Sequence, residues 1–85
     1  MQDKKQKLQT ILGKIIKKNR QNKSINRLSN EIELSKSIWS DLEKGKKDIQ
    51  FSTLWRIAEA LEIRPSFLVK EIEDEMGVDF SFIEE

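Results

Sequence analysis

The sequence contains no cysteine and no histidine. The first absence excludes disulfides and thiolate metal sites. The second removes the usual general base near neutral pH and the commonest metal ligand. Together they point away from catalysis: no residue stands out as catalytic or metal-binding, and no cofactor is expected. Long apolar runs are missing as well, since nothing approaches the ~18 residues of a membrane span. The start, Met1-Gln2-Asp3-Lys4-Lys5-Gln6-Lys7, is charged with no apolar block behind it, unlike a secretory signal. The expectation is a cytoplasmic, non-enzymatic protein with no membrane partner and no evident small-molecule ligand.

Charge is present in quantity and unevenly placed. Residues 1–47 hold 13 Lys/Arg and 5 Asp/Glu, a balance of +8, and residues 48–85 hold 3 and 10, a balance of −7. Asymmetry of this kind either marks one surface that meets a polyanion or reflects two solvated faces of opposite sign. The carboxylates Glu71, Glu73, Asp74 and Glu75 lack the alternating ligand spacing and turn glycine of a calcium loop. A solvated helix face fits them better.

Apolar spacing predicts five helices. Leu8, Leu12 (or Ile11), Ile15 and Ile16 recur at three- and four-residue steps, giving a first helix over about 5–20. Gly13 lies inside it, so either the backbone passes close to something there or the helix starts later. Ser24 suits an N-cap for a short helix at 25–32, with Ile25, Leu28 and Ile32 on one face. After the turn at Glu33-Leu34, Ser35 suits the cap of a third helix at 36–44, ended by Gly45. Leu54, Trp55, Ile57, Ala58 and Leu61 form the stripe of a fourth helix at 52–61. Pro65 opens a fifth, lined by Phe67, Leu68, Ile72 and Met76 and closed by Gly77. Trp39 and Trp55 sit at core spacing and are expected to pack inside. The tail Val78–Ile83 alternates apolar and polar residues like a strand, which must dock on its own domain or another chain unless it is disordered. The division is a domain at 1–76 and a tail at 77–85.

Two short helices, each opened by serine and joined by a tight turn, are the informative feature. With Leu28, Ile32, Leu34, Trp39 and Leu42 inward, the third helix offers Lys36, Ser37, Ser40, Asp41 and Lys44 on its other side. A helix held this way can enter a major groove about 12 Å wide. Asp41 would accept from a cytosine amine, exclude wrong sites or pair with Lys44. Ile38 lies between a core role and contact with a thymine methyl.

The stretch from Leu28 to Lys47, with Phe51–Ile63 after it, resembles the phage-repressor and Cro-like (Xre) helix-turn-helix family of DNA-binding transcriptional regulators. The similarity covers roughly residues 12–72. It rests on Ser35–Leu42 followed by Glu43-Lys44-Gly45-Lys46 and then Thr53-Leu54, Ile57-Ala58 and Ala60-Leu61. The resemblance implies a compact, all-α, five-helix lambda-repressor-like domain that binds double-stranded DNA, as a repressor and a homodimer. It implies base reading by Lys36, Ser37, Ser40 and Asp41, and phosphate contact by Ser24, Ser35, Lys44, Lys46 and Lys47. It also implies an ion pair of Glu43 with Lys18 or Arg20. The dimer contact is expected near the fourth-to-fifth helix region and the tail. Ser29 replaces the usual small residue of the second helix, Glu33 the usual turn glycine, and Asn19 an expected leucine. The other class of function open to such a fold is protein interaction, as an antitoxin or adaptor gripping a partner with Phe80, Phe82 and Ile83.

Overall fold

The apolar periodicity becomes five helices: α1 Asp3–Arg20, α2 Ile25–Glu31, α3 Lys36–Glu43, α4 Phe51–Ala60 and α5 Pro65–Met76. These belong to a computed structural model that describes residues 3–83. Residues 1–2 and 84–85, the ends of the expected domain and tail, lie outside the described residues. Helix ends fall within two residues of the sequence boundaries, as fraying ends do.

Helix α1 is the central rod, with α3 on one side and α5 on another, while α2 packs on α3 and α4 on α5. Leu12, Ile15 and Ile16 of α1 meet Leu28, Trp39 and Leu42 of the helix-turn-helix. In the same core, Leu54, Ile57, Ala58, Leu61, Leu68, Ile72 and Met76 come from α4, α5 and their junction. A methylene buried in such a core contributes about 0.8 kcal/mol. Gly13 is where α1 and α3 touch backbone to backbone. A Cβ there would collide with the carbonyl oxygens of Leu42 and Glu43.

Three expectations are corrected. Trp55 is not core: it stands 47% exposed and meets Phe51, itself 71% exposed, edge-on at 5.9 Å between ring centroids. It follows Leu54 directly, and the rotation of about 100° per residue carries it off the buried stripe. Phe67 leaves the core beside Leu68 for the same reason. Nor does the tail form a strand, since residues 78–83 are turn, bend and irregular chain. The Phe80 amide donates to the Gly77 carbonyl at 3.3 Å, and the half-buried Phe80 ring packs on the core. Phe82 stands edge-on to it at 5.2 Å and the Lys7 ammonium lies 5.9 Å from its centre. The described helices offer no sheet edge to pair with, so burial of one ring wins over extension.

Candidate nucleic-acid interface

The helix-turn-helix is built from local hydrogen bonds. The Ser24 hydroxyl accepts from the Arg27 amide at 3.3 Å, opening α2. The Ser35 hydroxyl accepts from the Ile38 amide at 3.0 Å, opening α3, and shares a 3.1 Å hydrogen bond with the Ser37 hydroxyl. Between the helices Glu33 adopts φ 56°, the left-handed conformation that favours glycine. The Leu34 amide then donates back to the Ser29 carbonyl at 2.9 Å, closing the end of α2. An L side chain at such a φ costs about 1 kcal/mol. Arg56 of α4 donates to the Ile32 carbonyl at 3.1 Å, bracing this turn from outside. Nothing in the sequence pattern singles out Arg56, because its contact is with backbone.

The inner side of α3 is held by packing and by one carboxylate. Trp39 and Leu42 are buried. Glu43, whose side chain is 7% exposed, accepts from Arg20 Nε at 2.6 Å and Nη2 at 2.9 Å, and from Trp39 Nε1 at 2.7 Å. Arg20 Nη1 donates to the Lys23 carbonyl at 2.9 Å. Its bond to Glu43 raises the Arg20 pKa further above its already high value, against the cost of burial. Such a forked, charge-assisted pair fixes orientation as well as proximity. Of the two cations weighed for Glu43, geometry brings it Arg20. Lys18 turns to α5, where its ammonium meets Glu71 at 2.7 Å. Beyond α3, Gly45 takes φ 73° against Thr10, and its carbonyl accepts from Gln6 at 3.0 Å and Gln9 at 3.1 Å. The loop bearing Lys46 and Lys47 is thereby tied to α1.

The outer side of α3 is left open. Rotation of about 100° per residue sets Ser37 and Lys44 opposite the buried Trp39 and Leu42, with Ser40 and Asp41 on the two shoulders. Lys36, Ser37 and Lys44 are exposed, and Ser40 and Asp41 half-buried. Lys46 and Lys47 are exposed in the loop, as are Ser24 and Ser35 at their helix starts. Among the described residues Lys36, Lys44, Lys46 and Lys47 make no ion pair. Much of the remaining basic charge of the first half is taken: Lys14 by Glu75, Lys18 by Glu71, Lys23 by Glu62 and Arg27 by Glu31. The C-terminal carboxylates therefore divide their work. Glu71 and Glu75 hold α1, Asp74 pairs with Lys70 on its own helix, and Glu73 is exposed. Asn19, in place of an apolar residue, donates to Glu71 at 2.8 Å and to the Ile15 carbonyl at 3.0 Å.

Five helices with the second and third in this relation define a helix-turn-helix protein. A profile of the Cro/C1-type HTH DNA-binding domain matches residues 12–74, and the chain belongs to that family. Among solved structures, the crystal structure of the clp gene regulator ClgR from C. glutamicum superposes with a TM-score of 0.74 at 23% identity. The match covers 85% of this chain and 96% of that one, and at this identity it is a likeness of fold. No curated protein sequence matches the chain. Among the described residues, no helix is long and apolar enough to cross a membrane.

Proposed function

We propose that the protein is a sequence-specific transcriptional repressor that inserts α3 in the major groove of double-stranded DNA. Lys36, Ser37, Ser40 and Asp41 read base edges, and Ser24, Ser35, Lys44, Lys46 and Lys47 hold phosphates. The observation that carries this reading is the set of exposed lysines without partners that borders the outer face of a rigidly anchored α3. Charge left unneutralised by the fold supplies the salt-dependent part of affinity. One domain offers a small interface, so two copies act together across half-sites about 34 Å apart. The face for the second copy is that of α4 and α5. Its groove runs past Phe51, Trp55, Pro65 and Val69 and is edged by Arg64, Lys70 and Glu73, charges of both signs that a two-fold copy can meet in opposite sense. A grip on some other protein by Phe80, Phe82 and Ile83 is less well supported, because Phe80 is packed on its own core.

A salt titration tests the reading. Affinity for duplex DNA is expected to fall by orders of magnitude between about 50 and 200 mM salt. Replacing Lys46 and Lys47 together by alanine is expected to weaken cognate and random duplexes alike and flatten the log–log slope by about 2. A salt-independent or absent DNA response overturns it.

A further inference from the structure

The outward face of α3 carries a single carboxylate, that of Asp41, and the fold derives nothing visible from it. Asp41 lies in the last turn, where the helix dipole disfavours a negative charge, and aspartate is a poor helix former. Its carboxylate makes no ion pair or hydrogen bond among the described residues, although Lys44 stands three positions on. Elsewhere in the same molecule comparable helical neighbours do pair, Arg27 with Glu31 and Lys70 with Asp74. The pairing with Lys44 open to the sequence is thus not made. Asp41 is left as an acceptor on the shoulder of the reading face, half-shielded from water.

We infer that Asp41 selects a cytosine in each half-site by accepting a hydrogen bond from its N4 amine. This rests on α3 being the helix that enters the groove. A carboxylate there is repelled by the phosphates and has only acceptor atoms to offer. Guanine presents O6 and N7, and thymine O4, all of them acceptors that repel it. Adenine presents an amine, but with the N7 acceptor beside it. Cytosine alone presents an amine with no acceptor next to it on its own edge. The unpaired Lys36, Lys44, Lys46 and Lys47 keep the surroundings net positive, so the helix stays in the groove despite this one repulsive group. Asp41 therefore discriminates by attraction to one base and by rejection of the others.

Selection of bound duplexes from a random pool, run with the parent protein, D41A and D41N, decides the matter. The parent is expected to return a motif with cytosine fixed at one position of each half-site, preferred by roughly 5- to 150-fold over other bases. D41A is expected to keep the rest of the motif and lose preference at that position. D41N, which offers both a donor and an acceptor, is expected to shift it toward adenine. Thermal unfolding of both variants is expected to match the parent, which separates a change in reading from a loss of fold. An unchanged motif from D41A overturns the inference, as does a uniform gain in affinity for every sequence, which would mark Asp41 as repulsive only. Absence of any motif from the parent sinks the DNA-reading assignment itself, a result distinct from both.

Discussion

The surface around α3 and the surface across α4, α5 and the tail expose opposite chemistries. Every large hydrophobic residue exposed among the described residues, Phe51, Trp55, Phe67, Val69, Val78, Phe82 and Ile83, belongs to the second region. The first region exposes lysines that the fold leaves without partners. The phosphates of a duplex are attracted by free charge, whereas a second protein surface gains from the rings and from mixed charges at their edge. The difference also refines what net charge means here. Part of the +8 of the first half is met at the junction with acidic α5, where Lys14 pairs with Glu75 and Lys18 with Glu71, whereas Lys36, Lys44, Lys46 and Lys47 on α3 and just after it stay exposed and without ion pairs among the described residues.

The largest expected effect tests how firmly the first region is held. Glu43→Ala removes the acceptor of Arg20 and of the Trp39 indole together. Arg20 is left about four-fifths buried with an uncompensated charge, its side chain being 16% exposed. Removal of one partner from such a pair costs about 3 kcal/mol, at the lower end of the range for buried pairs because Arg20 is partly wet. Chemical denaturation should record that loss, with DNA binding falling wherever unfolded chains accumulate. A loss below about 0.5 kcal/mol would show that α3 is placed by apolar packing alone.

A smaller and more selective effect is expected from the second region. Phe51→Ser combined with Trp55→Ser removes two exposed rings and leaves the core stripe of α4 intact. Stability should change little, as for most surface substitutions. Sedimentation equilibrium should show the paired state weakened by at least tenfold, and binding should fall on a duplex with two half-sites but not on one with a single half-site. Equal loss on both duplexes would break the division of labour between the two regions.

Most of the fold was legible in the sequence because helix starts and stops are local chemistry. Ser24 and Ser35 occupy the capping positions that their hydroxyls suit, and Gly45 the left-handed turn. The placement of the outer face of α3 follows from the same periodicity, since Trp39 and Leu42 point inward and fix what points out. What escaped was decided by contacts distant in sequence. Lys18 and Arg20 are two residues apart and hence about 200° apart around α1, one facing α5 and the other α3. No local rule says which helix lies where. Trp55 and Phe67 each adjoin a buried leucine, so a rotation of one residue separates core from surface. The tail's alternation describes a strand only where a partner strand exists, and among the described helices there is none.

The smallest effect concerns the junction between the two regions and depends on pH. Glu71 accepts from Lys18 at 2.7 Å and from Asn19 at 2.8 Å. The hydrogen bond from Lys18 lowers its pKa below the usual 4.5, against partial burial that raises it, with the bond from Asn19 acting in the same sense as Lys18. A carboxyl whose pKa is lower folded than unfolded binds fewer protons in the native state. Its stabilisation is complete above about pH 4.5 and is lost as pH falls through the lower, folded value. Because the Lys18 side chain is 65% exposed, the contribution is a modest one. Glu71→Gln should therefore lower the melting temperature slightly near neutrality, and the gap to the parent should close as pH falls below the usual carboxyl value of 4.5 and through the lower, folded one. A gap that stays constant through that range would mean that α1 and α5 are joined by packing of Ile15, Leu68 and Ile72 alone, with the charges along their edge as bystanders.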